Sequence, residues 1–323
     1  METKAALYRQ AADNIKQRRH LAETQAVQNR EQLRIAAPEY EQLRLKLLNN
    51  RFEQARRSVR GLPRTELEEQ AQQLQEKLDM YRTAAGFTEE QLVPRYTCRD
   101  CNDTGICGGV RCHCVEKEMR RLRREQINSA FPLELSSFER FSLKYYSDKP
   151  DPELGASPRE LMSQVLEYCT AWAAHYRPGC QSLLLMGDAG LGKTHLALAM
   201  AGQVLDAGFD VVYVSAQHTF ARLDSNIFES ENEWMEAMLE ADLLVLDDLG
   251  TEFVTPHTVS VLYQLVDTRM CAHRPTIYTT NIMTQQLLVG RYTEKVASRL
   301  LGSCELLQFF GDDVRLHDKK EGS

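Results

Sequence analysis

The run Gly187-Asp188-Ala189-Gly190-Leu191-Gly192-Lys193-Thr194 constrains this chain more than any other stretch. It fits the pattern G-x-x-x-x-G-K-[ST], in which small residues let successive backbone N–H groups curl around a phosphate, while the lysine brings a cation and the threonine a metal-ligating hydroxyl. The apolar run Leu183-Leu184-Leu185-Met186 ahead of it predicts a buried strand, and residues 194–207 behind it predict a helix stopped by Gly208. The N-terminal end of that helix would face the anion with its dipole. Far downstream, Leu243-Leu244-Val245-Leu246-Asp247-Asp248 reads as a second buried strand ending in carboxylates, where Asp247 can hold Mg²⁺ beside Thr194. Together the two stretches imply a nucleoside triphosphate site.

From Arg159 onward, helical and short apolar patterns alternate, which predicts an α/β layered sandwich with a mainly parallel five-stranded sheet. The strands are expected at 182–186, 210–215, 243–246, 276–280 and 305–310. Residues 1–93 are instead a helix-forming mixture of Gln, Glu, Arg, Leu and Ala, with three helices predicted: one ending before Pro38, one from Pro38 to near Arg60, and one from Pro63 to Gly86. Leu43, Leu47 and Leu48 share one face of the second, and Leu74, Leu78 and Tyr81 one face of the third. Such stripes are read as helix-on-helix core, with a groove for a partner as the alternative. Thr88-Glu89-Glu90-Gln91 has the capping-box form and opens a short turn. A helix over about 119–128 carries Arg120, Arg121, Arg123 and Arg124, a solvated face or a local positive patch for phosphate or an acidic surface. The expected division is a helical, partner-binding region at 1–93, a metal module with the basic helix at 94–130, a linker at 131–158 and a nucleotide-binding domain at 159–318.

Five of the nine cysteines crowd between Cys98 and Cys114. Cys98-x2-Cys101 and Cys112-x-Cys114 form two ligand pairs with zinc-ribbon-like spacing, and Gly105, Gly108 and Gly109 between them permit the tight turn that brings both pairs to one tetrahedron. A structural all-thiolate Zn²⁺ site is expected, with Cys107 and His113 as competing ligands. Cys169, Cys180, Cys271 and Cys304 are isolated and read as small buried hydrophobes.

The net charge of -7 argues against a chain that coats DNA or an anionic membrane through its overall field, so any nucleic-acid contact must be local. A charged start and the lack of any long apolar run predict a cytoplasmic protein without a membrane partner.

Phosphoryl transfer needs groups that position water and neutralise charge spreading over the γ-phosphate. Lys193 would meet the β- and γ-phosphates, and Asp248 stands where a base or water-orienting group belongs, its side chain shorter than that of Glu. Asn281, closing the strand Thr276-Ile277-Tyr278-Thr279-Thr280, is either a water-orienting amide or a turn residue. Arg299 reads locally as a solvated arginine.

Leu246-Asp247-Asp248-Leu249-Gly250-Thr251-Glu252, Thr280-Asn281, Ser298-Arg299-Leu300 and Phe310-Gly311-Asp312-Asp313-Val314-Arg315, in this order over 136–315, resemble the helicase-loader branch of AAA+ ATPases, which includes the IstB transposition helpers. Tyr96-Thr97-Cys98-x2-Cys101-x-Asp103-Thr104-Gly105 with Cys112-x-Cys114 is similar to the zinc-bearing N-terminal domain of some loaders. The resemblance implies an AAA+ P-loop three-layer sandwich behind a helical N-terminal domain with a small zinc module. It implies ATP and Mg²⁺ held by Gly187, Asp188, Ala189, Gly190, Leu191, Gly192, Lys193, Thr194 and His195, with Lys193, Asp247, Asp248 and Asn281 as the catalytic set. It further implies that Arg299 reaches a neighbouring subunit's γ-phosphate, that Arg315 senses nucleotide, and that Arg269 could contribute across the interface. The short stretch after Arg315 leaves no room for the helical lid of many relatives. Ser137-Phe138-Glu139-Arg140-Phe141 would cover the adenine or pack in the core, and 220–240 would lie where relatives line a single-stranded DNA channel. The implied function is ATP-dependent loading of a hexameric replicative helicase, with single-stranded DNA and self-association as partners. An IstB-like transposition helper and an ATP-sensing adaptor with negligible hydrolysis are the alternatives.

Overall fold

The structure is a computed structural model that describes residues 2–130, 136–223 and 228–315. Phe131 and Pro132 of the expected linker, 224–227 of the expected channel region and 316–318 of the expected nucleotide domain lie outside the described residues. Two compact units are present, one of Ala12–Val115 and one of Met1–Ala11 with Glu116–Ser323. No helix among the described residues is long and apolar enough to cross a membrane.

The first unit holds most of α1 (Lys4–Ala36), then α2 (Pro38–Val59) and α3 (Thr65–Ala84), as predicted. Pro38 opens α2, where its missing N–H is no loss, and Gly61 closes it at φ +66. There the Gly61 N–H donates to the Ser58 carbonyl and the Leu62 N–H to the Arg57 carbonyl, a Schellman ending. Leu47 and Leu78 are buried between α2 and α3, whereas Leu48 is 57% exposed. The expected core stripe on α2 is thus corrected: Leu48 points away from the helix that Leu47 packs against. Thr88 and Gln91 form the predicted capping box, with the Thr88 N–H donating to Gln91 Oε1 at 2.8 Å. A short hairpin of β1 (Ile106–Cys107) and β2 (Val110–Arg111) leads into α4 (His113–Ala130).

The second unit is the α/β sandwich. Its elements run α5 (Pro158–Ala174), β3 (Ser182–Met186), α6 (Lys193–Asp206), β4 (Val211–Ser215), α7 (Ala216–Leu223), α8 (Phe228–Glu240), β5 (Leu243–Leu249), α9 (Pro256–Cys271), β6 (Thr276–Thr280), α10 (Gln285–Arg291), α11 (Glu294–Ser303) and β7 (Cys304–Gln308). The five strands are all parallel in the order β4-β5-β6-β3-β7. Both faces are covered, which is why β3 and β5 read as unbroken apolar runs. Leu183 and Leu185 join a core with residues of α5 and α6, while Leu184 and Met186 join one with residues of α9 and α11.

Three expectations are corrected here. The basic helix begins earlier than expected, at His113, and from Glu116 onward belongs to the nucleotide unit, where Ile127 enters the core. Its arginines are not a free positive patch. Arg123 is 1% exposed and chelated by both oxygens of Asp210 at 2.8 and 3.0 Å, Arg124 pairs with Asp206, Arg121 with Glu118 and Glu125, and Arg120 donates to the Asp206 carbonyl. Nor is 136–158 a linker, because its aromatic residues pack on the sandwich and Ser136, Tyr146 and Ser157 are buried. Ser157 caps α5 in a capping box with Glu160.

One irregularity matters for the site. Leu246 pairs with Tyr278 but Leu249 with Thr280, so β5 carries one residue more than β6 across this step. Asp248 sits in that bulge at φ +55, a conformation that Asp and Asn reach more readily than most residues.

Candidate functional site

The loop between β3 and α6 is built from close approaches that only glycine allows. A Cβ on Gly190 would stand 1.8 Å from an Asp313 carboxylate oxygen, and one on Gly192 would stand 2.7 Å from the Phe141 ring. Both glycines also lie in the left-handed region, at φ +79 and +83. Phe141 packs edge-on to His195 at 5.5 Å, and the Tyr146 hydroxyl donates to the Leu191 carbonyl at 2.9 Å. The supposed linker therefore braces the phosphate loop. His195 Nε2 lies 2.8 Å from the Ser137 carbonyl, which joins the same segment to the start of α6.

At the carboxyl end of the sheet the expected residues converge. The Lys193 ammonium donates to the carbonyls of Gly187 and Asp188, each at 2.6 Å, and to Asn281 Oδ1 at 2.7 Å. An ammonium has three N–H donors, so a phosphate oxygen must displace one of these acceptors to meet it. Burial lowers the Lys193 pKa below its ordinary value, against the opposing charges of Asp248, Asp247 and Asp188. Thr194 Oγ1 donates to Asp247 Oδ1 at 2.9 Å, which joins the two groups expected to share Mg²⁺. Asp247 is 4% exposed and also accepts from Thr279 Oγ1 at 2.7 Å and, on Oδ2, from the Tyr213 hydroxyl at 2.7 Å. Neither Tyr213 nor Thr279 was expected here. Each lies in an apolar strand pattern, and only the register beside β5 brings it to the carboxylate.

Asp248 is half-buried and its N–H donates to Thr279 Oγ1 at 2.8 Å. Burial, and then the charge of Asp247, raise its pKa above the ordinary aspartate value, with Lys193 and Arg315 opposing. Adjacent strand residues normally point to opposite faces, yet both Asp247 and Asp248 line one cleft of about 1540 Å³, because the bulge turns the second toward the first. The cleft also takes in Lys193, Thr194, Asn281 and Arg315, whose guanidinium lies 3.2 Å from Asp313. Its volume exceeds that of an ordinary small-ligand pocket.

Arg299 is not among the residues lining that cleft. It pairs with Asp267 at 3.1 Å and leaves 43% of its side chain exposed. Arg269 corrects the expectation of an interface role, since it is 1% exposed inside the sandwich. Its guanidinium donates to Thr276 Oγ1 at 2.9 Å and to the carbonyls of Met238, Ala241 and Pro275 at 2.7, 2.9 and 2.6 Å, tying α9 to the ends of α8 and β6.

In the other unit, Cys98, Cys101, Cys112 and Cys114 are all buried, with their sulfurs within 4.8 Å of one another. Cys98 and Cys112 stand 3.7 Å apart, Cys101 and Cys114 3.5 Å. This donor set fits a tetrahedral, soft-ligand metal such as Zn²⁺. Cys107 is exposed and directed at the Asp100 carbonyl, and His113 is exposed beside Asp100. The buried Asp103 accepts from the N–H groups of Thr97 and Cys98 at 2.7 and 3.0 Å and from Arg18 at 3.0 Å, fixing the first turn of the cluster. Of the isolated cysteines, Cys169 and Cys304 are buried as expected, Cys180 is partly so, and Cys271 is exposed.

The strand order, the glycine-built loop and the acidic strand end define a P-loop nucleotide-binding domain of the AAA+ class. A family profile described as IstB-like ATP binding protein matches residues 115–322, and the chain belongs to that family. It is similar to the uncharacterized protein YdaV of Escherichia coli (strain K12), 26% identical over 181 residues, which span 54% of this chain and 67% of that one. It is also similar to the replicative helicase loader DnaC of the same strain, 23% identical over 214 residues, 64% of this chain and 82% of that one. Among solved structures, a crystal structure of the DnaC helicase loader matches at 21% identity with a TM-score of 0.47, over 56% of this chain and 99% of that one.

Proposed function

We propose that this protein is an ATP-dependent loader of a replicative helicase, hydrolysing ATP in assemblies of its own copies on single-stranded DNA. The observation that carries the reading is the separation of Arg299 from its own cleft. Lys193, Thr194, Asp247 and Asn281 gather around one phosphate position, while a half-exposed arginine held by Asp267 stands away from it. An arginine so placed suits the γ-phosphate of another copy, where it would stabilise charge developing in the transition state. Similarity to the helicase loader DnaC supports the choice of partner.

In this reading Thr194 and Asp247 would hold Mg²⁺, which would supply charge neutralisation at the phosphates, and the Tyr213 and Thr279 hydroxyls fix the Asp247 carboxylate. Lys193 meets the phosphate oxygens, and Asp248, less acidic than an ordinary aspartate, takes the proton of the attacking water that Asn281 helps to orient. Gly187, Asp188, Ala189, Gly190, Leu191 and Gly192 offer backbone N–H groups to the phosphates. His195 and Arg315 border the bound nucleotide. Cys98, Cys101, Cys112 and Cys114 would hold Zn²⁺, which would staple a module too small for a core of its own, and 1–93 grips the helicase.

Retention of the purified replicative helicase on the immobilised full chain with ATP and Mg²⁺ is the expected result. Loss of helicase from both ATP-bound and ADP-bound protein overturns the loader reading. The family match favours a second reading, a transposition helper. Capture of a transposase on duplex DNA in place of the helicase selects it.

A further inference from the structure

Helix α2 is built inside out. Its inner seam, Leu43, Leu47, Asn50 and Gln54, mixes two leucines with two amides, and the amides bond across to α3. Gln54 donates to the Leu67 carbonyl at 3.0 Å and Asn50 to Gln70 at 3.4 Å. The outer seam is the more apolar one. Leu45, Leu48, Phe52, Ala55 and Val59 follow the a-d-a-d-a spacing of a heptad, and Leu62 extends the spacing beyond the Schellman turn. Leu45, Leu48, Phe52 and Val59 are 48%, 57%, 70% and 90% exposed. Residue 45 lies two positions, about 200°, from residue 43, so this seam faces nearly opposite to α3. An apolar stripe of about 21 Å that the described residues leave uncovered marks a partner site.

The stripe is narrow, at two positions in seven, which is the width of a helix-on-helix seam rather than of a helix lying in a lipid interface. Its rim selects the partner by charge. Arg44, Arg51 and Arg56 hold positions that flank the seam and no acidic residue does; Arg44 pairs with Glu41 and Arg56 with Glu53, and over α2 five basic residues (Arg44, Lys46, Arg51, Arg56 and Arg57) stand against three acidic ones (Glu39, Glu41 and Glu53). A second copy of α2 would bring arginine to arginine. We infer that the outer face of α2 docks an amphipathic helix with an apolar a/d stripe and acidic residues at the flanking positions, in a coiled-coil-like pair. This deepens the loader reading by naming the surface with which 1–93 grips its partner.

The test uses the full-length protein and a labelled peptide of about three heptads, with Leu at a and d and Glu at e and g, followed by fluorescence anisotropy. Binding is expected to weaken at least about tenfold in Leu48→Glu with Phe52→Glu, and to weaken with salt as screening of the rim charges requires. A peptide with Lys in place of Glu is expected to bind at least about tenfold more weakly. The substituted side chains are exposed, so an unchanged helical circular dichroism signal and unchanged ATP binding exclude misfolding as the cause. Equal binding of the Glu and Lys peptides, or no loss in the double variant, overturns the inference. So does a dimer that the double variant dissolves, or capture of the protein by phosphatidylserine vesicles through these same residues. The two proposals fail separately. If the peptide binds but the helicase is not retained, the loader reading falls and the docking face stands. If the double variant retains the helicase as well as the parent does, the docking face falls and the loader reading stands.

Discussion

Replacing Arg269 by alanine removes a strut rather than an interface contact. Five acceptors lose a charged donor at once: Thr276 Oγ1 and the carbonyls of Met238, Leu239, Ala241 and Pro275. Hydrogen bonds to charged groups are worth about 1.5–3 kcal/mol each, but neighbouring bonds do not add, and water entering the space left by the side chain restores part of the loss. Breaking such a buried charged network destabilises by about 3–5 kcal/mol, a third or more of a typical domain's stability. Both tryptophans, Trp172 and Trp234, lie in the nucleotide unit, so their fluorescence during urea unfolding reports on that unit. With a slope of about 2 kcal/mol per molar urea, the midpoint should fall by about 1.5–2.5 M. Arg299→Ala, on the surface, should move it by less than about 0.3 M, in line with an exposed substitution. A midpoint for Arg269→Ala within about 0.3 M of the parent, with hydrolysis lost, would refute the strut and return Arg269 to the subunit interface.

Three further outcomes follow from the site. Arg299→Ala should bind ATP normally and fail to hydrolyse it, and mixing it with Lys193→Ala should restore turnover, since each supplies the half-site the other lacks; no recovery in the mixture denies a shared site. Asp248→Asn should keep ATP binding and lose turnover. In the parent protein the acid limb of the pH–rate profile should lie above the ordinary aspartate value of 3.8, because burial and Asp247 raise the pKa; activity is then lost as pH falls through that raised value, and a limb at or below 3.8 rejects Asp248 as the base. Cys107→Ser should retain one Zn²⁺ per chain by atomic absorption whereas Cys98→Ser should lose it, and metal retained in Cys98→Ser rejects the four-thiolate assignment.

The sheet was legible in the sequence because parallel strands buried on both faces read as plain apolar runs, and the phosphate loop because its glycines and lysine have few other uses together. Charge misled where it was buried. Arg123 reads as a surface residue until the chain brings it to Asp210, 87 positions away, and nothing local to Arg269 announces a cage of carbonyls. Composition misled at 136–158, where Asp, Pro and Ser suggest a loop but Tyr146 reaches the Leu191 carbonyl. Periodicity reveals that α2 has apolar stripes without saying which one meets α3, so Leu47 was placed correctly and Leu48 was not. Tyr213 and Thr279 were invisible for a related reason: their role exists only in the register of three neighbouring strands.

The extra residue in β5 restricts how this centre can be altered. Exchanging Asp248 for glutamate, to supply a longer carboxylate, would also force a less tolerant backbone through a left-handed twist, and a β-branched substitute would fare worse still. Asparagine keeps both the shape and the tolerance, so it alone separates the loss of a charge from the loss of a bend. The geometry of the strand thereby limits which side chains natural variation can try at this carboxylate, independent of their chemistry.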